Sequence, residues 1–136
     1  MKDRIIVTVN DYHRLIGLVE SAAAKVKTPE AVKLMLSQLY GAKMLKQEDI
    51  SSNVITMNSR IKLRDVVNKR ETEITITYPE NAEPKERRVS VFSEIGLALL
   101  GRRENDVVSW KIPGGVGLFE ITEITYQPEA AGDYHL

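Results

Sequence analysis

The period of the apolar residues changes once along this chain, and that change fixes its architecture. Up to about Lys46, apolar side chains recur at steps of three and four. From Ile61 onward they alternate. The first spacing lays a stripe along a helix, and the second lays one face on a strand. An α+β fold follows, with a helical front and a sheet behind it.

The first helix begins near Thr8, which precedes Asp11 by three residues in a capping box with a shortened acid; Asn10 is an alternative cap. Its stripe is Tyr12, Leu15, Ile16, Val19, Ala22, Ala23 and Val26. Thr28-Pro29-Glu30 breaks and restarts the helix, with proline at a first helical position and the acid at the positive dipole end. A second helix, striped by Val32, Met35, Leu36, Leu39, Ala42 and Leu45, is expected to run to about Lys46. Two such helices must fold back on each other as an antiparallel hairpin, a short coiled coil. At about 17 residues each they would extend roughly 25 Å.

The polar stretch Gln47–Asn53 reads as a linker, dividing an N-terminal hairpin (1–47) from a second domain (48–136). Beyond it, alternation marks strands at Ile61/Leu63, Ile74/Ile76/Tyr78, Val89/Val91, Val108/Trp110/Ile112 and Phe119/Ile121, then Ile124/Tyr126. The slip between Ile121 and Ile124 predicts a β-bulge or bend. One short helix interrupts them. Ser93 is its cap, Glu94 lies in its first turn, and Gly101 ends it. Being apolar nearly all round, it should be buried against a twisted antiparallel sheet of about five strands.

Nineteen basic and nineteen acidic side chains cancel, which argues against general nucleic-acid binding. The charge is nevertheless divided. Residues 1–46 carry eight basic and four acidic groups, and the remainder carries the acidic excess. There is no cysteine, so disulfides and thiolate chemistry are excluded, and a reducing cytoplasm is the expected location. No apolar stretch has the length of a membrane span, and the N-terminus lacks a signal-peptide core.

His13 and His135 have no partners at metal-ligand spacing. Pro113-Gly114-Gly115-Val116-Gly117 lacks the Lys-Ser/Thr ending of a phosphate loop and precedes a strand, so it reads as a hairpin turn. Arg87-Arg88 and Arg102-Arg103 have few aromatic neighbours for stacking bases. No catalytic residues, metal or cofactor are expected, and the chain is not expected to be an enzyme.

Residues 90–106, Ser-Val-Phe-Ser-Glu-Ile-Gly-Leu-Ala-Leu-Leu-Gly-Arg-Arg-Glu-Asn-Asp, resemble the C-terminal domain of the Gre transcript-cleavage factors. That family has the pattern Ser-x-x-Ser-Pro-x-Gly-x-Ala-Leu-Leu-Gly-x-x-x-Gly-Asp. Asn58-Ser59-Arg60-Ile61 and Pro113-Gly114-Gly115 are further matches, and residues 126–134 resemble the tail of the Rnk group, regulators of nucleoside diphosphate kinase. Glu94 stands where the Gre pattern has proline. Asn105 stands where it has glycine, so Asn105 must accept a turn conformation.

The resemblance implies a body like that of the FK506-binding prolyl isomerases, and docking on RNA polymerase near its secondary channel. Ser93, Glu94, Gly96, Pro113, Gly114 and Gly115 are the contact residues it suggests. Gre factors resemble a long coiled coil whose acidic tip helps hold a catalytic Mg²⁺. Here the tip carries Lys25 and Lys27, flanked only by Glu20 and Glu30, and lysines repel a cation at short range. The expectation is a regulator that occupies the channel entrance and competes with Gre factors without stimulating cleavage. A monomer is favoured over pairing with a second copy, which stays open, and no membrane or sequence-specific nucleic-acid partner is expected. Two other readings stay open: regulation of nucleoside diphosphate kinase through another partner, and prolyl isomerisation, which the two Phe and one Trp make a poor prospect.

Overall fold

The structure is a computed structural model that describes residues 4–20 and 29–136. The chain enters as a short strand, β1 (Ile6–Thr8), and passes directly into α1 (Val9–Glu20). The Thr8 hydroxyl accepts a hydrogen bond from the Asp11 N–H at 3.0 Å, so the cap forms as the sequence predicts. The reciprocal half of the box does not form. The Asp11 side chain turns inward and is 2% exposed.

After the undescribed segment comes α2 (Pro29–Tyr40), which packs on α1. Leu15, Met35 and Leu39 enter the core from the two stripes. Ala22, Ala23 and Val26 lie outside the described residues.

The second helix stops six residues before Lys46. Gly41 follows, and Lys43–Leu45 forms β2, paired in parallel with β1. Ala42 and Leu45 continue the helical spacing, but an extended chain here satisfies the β1 backbone: Lys43 N–H donates to Ile5 C=O at 2.9 Å. A three-residue strand with one apolar face carries no periodic signal of its own.

The body is a five-stranded sheet of β3 (Arg60–Asp65), β4 (Glu71–Thr77), β5 (Arg88–Ser90), β6 (Val107–Ile112) and β7 (Gly115–Tyr126), in the order β5-β4-β3-β7-β6. It is mixed, not wholly antiparallel as expected. Residues 78–87, with two 3₁₀ turns, return the chain so that β5 lies parallel to β4. Alternation along a strand cannot reveal its direction.

The slip foreseen between Ile121 and Ile124 is present, and a second, unforeseen one follows between Ile124 and Tyr126. Ile61 faces Ile124 while Leu63 faces Ile121, and Arg60 faces Tyr126. Thr122 and Thr125 are the extra residues, and their hydroxyls donate to the carbonyls of Lys62 and Arg60. The bulges thus keep Ile121 and Ile124 on the apolar side without orphaning the backbone. Lys62–Glu123 and Arg64–Glu120 pair across the solvent face.

The short helix α3 (Glu94–Leu99) packs against β6 and α2. A last turn of helix, α4 (Pro128–Ala131), was not foreseen. The Gln127 side chain caps it, accepting from Ala130 N–H at 3.1 Å. One apolar core runs from Ile5 and Leu15 through Met57 and Ile76 to Leu99 and Ile121.

Thr8→Ala should remove the α1 cap and lower stability by about 1 kcal/mol. A chemical denaturation midpoint that does not move would contradict it.

Candidate groove and helix–sheet junction

A groove of about 760 Å³ opens between α2, α3 and β6. Ala31, Leu34 and Gln38 supply one wall, Leu97 and Ala98 another, and Val108 and Trp110 line it from β6. The Trp110 indole stacks on the Phe119 ring, with centroids 4.1 Å apart and planes 2° from parallel. That stack gives the groove a rigid aromatic surface. Glu30, Glu94 and Asp106 bring acid to its margin, and Arg102 and Lys111 bring base. Gln38 ties two walls together, since its Nε2 donates to Leu97 C=O at 3.0 Å.

The residues expected from sequence to make contacts do not all meet at the groove. Ser93 and Glu94 line the groove. Ser93 also caps α3 as predicted, accepting from Gly96 N–H at 3.1 Å. Gly96 is buried. A Cβ there would lie 2.3 Å from Ser90 O and 2.7 Å from the Val91 Cα, so close helix packing alone requires glycine.

Pro113 and Gly114 form the two-residue turn from β6 to β7, and Gly115 begins β7. Gly114 has φ +88°, and proline followed by such a glycine is the chemistry of a type II turn. All three are exposed, just past the end of the strand whose middle lines the groove. Glu20 is the last described residue of α1, and Glu30, in the first turn of α2, also lines the groove; both are exposed. Lys25 and Lys27 lie outside the described residues. Asn105 takes φ +76°, the turn conformation its place in the pattern demanded.

His13 is exposed, edge-on to the Tyr12 ring, and His135 is exposed near the C-terminus. Leu34 was not part of the predicted α2 stripe. An apolar residue lying off the core face was the available signal that α2 has a second apolar contact.

A second constellation lies where the helices meet the body. Asp11 Oδ2 accepts from Met57 N–H at 3.1 Å, and Tyr78 O–H donates to Oδ1 at 3.3 Å. The Arg14 guanidinium sits 4.0 Å from the Tyr78 ring centroid. On the other side of the same loop, Thr56 O–H donates to Glu129 Oε1 at 2.7 Å. Burial pushes the Asp11 carboxyl up to about 6. The Met57 N–H opposes that shift, the Glu129 charge adds to it, and Tyr78 O–H and Arg14 oppose it. Burial, followed by the Asp11 charge, raises Tyr78 far above the ordinary phenol range.

Gly96→Ala should destabilise the protein by about 1–3 kcal/mol, the usual cost of overpacking. An unchanged melting temperature would show that α3 yields freely.

Residues 50–126 match the family model described as "Transcription elongation factor, GreA/GreB, C-term". The chain is 37% identical over 134 residues to the regulator of nucleoside diphosphate kinase of Escherichia coli K12, covering 97% of this chain and 96% of that protein. It is 29% identical over 121 residues to transcription elongation factor GreA of Clostridioides difficile, covering 89% and 76%. Among solved structures, a prokaryotic transcription elongation factor GreA/GreB from Nitrosomonas europaea superposes with a TM-score of 0.78 at 30% identity, covering 92% of this chain and all of that one. With the family model covering more than half its length and a full-length relative above 30% identity, this chain belongs to the GreA/GreB transcription elongation factor family.

Proposed function

We propose that this chain is a transcription regulator that binds RNA polymerase near the secondary channel through the α2–α3–β6 groove. It competes there with Gre factors and does not stimulate transcript cleavage. Family membership supports the partner. The observation that carries the site is the groove itself, in which Leu34, Leu97 and Trp110 line a concave surface beside Ser93 and Glu94. Of these, Leu34 is exposed, Trp110 is half-buried and Leu97 forms the buried floor; apolar side chains lining a concavity are a common form of protein-recognition surface. Pro113, Gly114 and Gly115 extend the contact at one end of β6, and Gly96 acts by letting α3 sit close.

In this reading residues 1–47 are an arm, a short antiparallel coiled-coil hairpin that enters the channel mouth. Residues 48–136 are an FKBP-like body that grips the rim. The arm works by occupancy. Its acids near the tip, Glu20 and Glu30, stand one on each helix, with Lys25 and Lys27 between them in sequence, which is a poor arrangement for a divalent cation. A second reading, action on nucleoside diphosphate kinase through another protein, is favoured by the name of the 37% identical relative.

Purified protein should bind core polymerase and be displaced by a Gre factor. Leu34→Glu should weaken binding about tenfold or more, as loss of a central apolar contact does. Stalled elongation complexes should show no added cleavage. Absence of polymerase binding at low salt would overturn the proposal, and capture of a nucleotide-metabolising enzyme without polymerase would favour the second reading.

A further inference from the structure

Five consecutive residues of β6, Val107 to Lys111, line the groove. Side chains alternate along a strand, so Val108 and Trp110 lie on one face of the sheet and Val107, Ser109 and Lys111 on the other. No single face meets both sets. The groove therefore runs along the free edge of the strand, and that edge is part of its wall. β6 is the last strand of the sheet, with β7 on one side and no strand on the other among the described residues.

The register shows which backbone groups face that edge. Asp106 C=O accepts from Ile121 N–H at 2.9 Å, and the pairing continues through Val108–Phe119 and Trp110–Gly117 to Ile112–Gly115. In an antiparallel ladder every second residue turns its N–H and C=O to the partner strand. The N–H and C=O groups of Val107, Ser109 and Lys111 therefore point away from β7. All three residues are exposed, and among the described residues no backbone group pairs with theirs. An edge of six residues spans roughly 20 Å and is a template for another strand.

The opposite wall suits an extended chain lying on that edge. Gln38 Nε2 is committed to Leu97 C=O, which fixes the amide orientation and leaves Oε1 as a buried acceptor with no donor among the described residues. An N–H entering the groove would satisfy it. Glu30 and Glu94 open α2 and α3 on the helical side, and Lys111 stands on the strand side. Arg102 and Asp106 add one charge of each sign and leave that balance unchanged. A segment basic toward the helices and acidic beside Lys111 complements both walls.

We propose that the groove takes an extended segment of the partner, which adds to the edge of β6 as a sixth strand of the sheet. This deepens the groove reading above and rests on it. Backbone hydrogen bonds from Ser109 and Lys111 hold the segment, and its alternate side chains enter the space between α2, α3 and Trp110. A partner helix, whose backbone groups are already paired within it, would use the side chains of the groove and ignore the edge.

Ser109→Pro separates the two modes. It removes the N–H that points out to the groove and leaves every bond to β7 in place; an outward-facing position on an edge strand is where a sheet tolerates proline. The variant should stay folded, with a melting temperature close to that of wild type, and should bind core polymerase about tenfold or more weakly. Ser109→Ala, which keeps the backbone donor, should bind within about twofold of wild type. In the wild-type complex, amide exchange at Ser109 and Lys111, read by mass spectrometry with residue-level fragmentation, should slow about tenfold or more relative to the free protein.

A folded Ser109→Pro that binds as wild type does, while Leu34→Glu does not, would overturn strand addition and leave the groove reading standing. An equal loss in Ser109→Ala would overturn it as well, by assigning the contact to the hydroxyl. If Ser109→Pro does not fold, the wild-type exchange decides, and unchanged rates at Ser109 and Lys111 refute the added strand. Wild-type protein that does not bind polymerase at all refutes the groove reading and the strand with it.

Discussion

The loop Val54–Ser59 is the point on which the assembly depends. Residues far apart in sequence close on it. Asp11 of α1 holds Met57 N–H, Glu129 of α4 holds the Thr56 hydroxyl, and Gln127 Nε2 donates to Val54 C=O at 2.7 Å. Gly101 N–H donates to Ile55 C=O, and Asn58 N–H donates to Ile76 C=O. Within the loop, the Ser59 hydroxyl accepts from Thr56 N–H at 2.9 Å. A buried irregular segment is tolerable only when its polar groups are paired in this way. Ile55 and Met57 point into the same core that receives Leu15 and Leu39, so polar and apolar attachment of the two helices coincide.

That coincidence explains why the helical front does not behave as an independent appendage in the fold. α1 is rooted by β1, by Asp11 and by its apolar stripe. α2 is rooted by Met35 and Leu39 and by the Gln38 bond to α3. The groove exists because these roots bring α2 beside α3 and β6. A surface built from both parts of the chain depends on the angle between them.

Much of this was legible in the residues because local chemistry specified it. Thr8 and Ser93 are caps whose partners lie three residues away, so spacing alone identifies them. The Pro113-Gly114 turn and the left-handed Asn105 follow from what those residue types tolerate. The bulge at Thr122 was visible as a broken alternation between Ile121 and Ile124, whereas the one at Thr125 was hidden by the regular spacing of Ile124 and Tyr126. What escaped was specified at long range. Asp11 has the sequence signature of a solvated first-turn acid, and its partners lie 46 and 67 residues away. Strand β2 continues a helical spacing and becomes extended only because β1 lies alongside. The parallel placement of β5 depends on how residues 78–87 return, which no periodicity records. In the groove, Ser93 and Glu94 were reached through family resemblance, whereas Leu34 and Trp110 were passed over because each looked like an ordinary apolar position.

Trp110 is the chain's sole tryptophan, and it sits on the wall of the groove against Phe119. The tryptophan fluorescence of the whole molecule therefore comes from one indole beside the surface a partner would cover. A bound partner that excludes water from that ring would change its emission colour, so the protein carries its own optical gauge of whether the groove is filled.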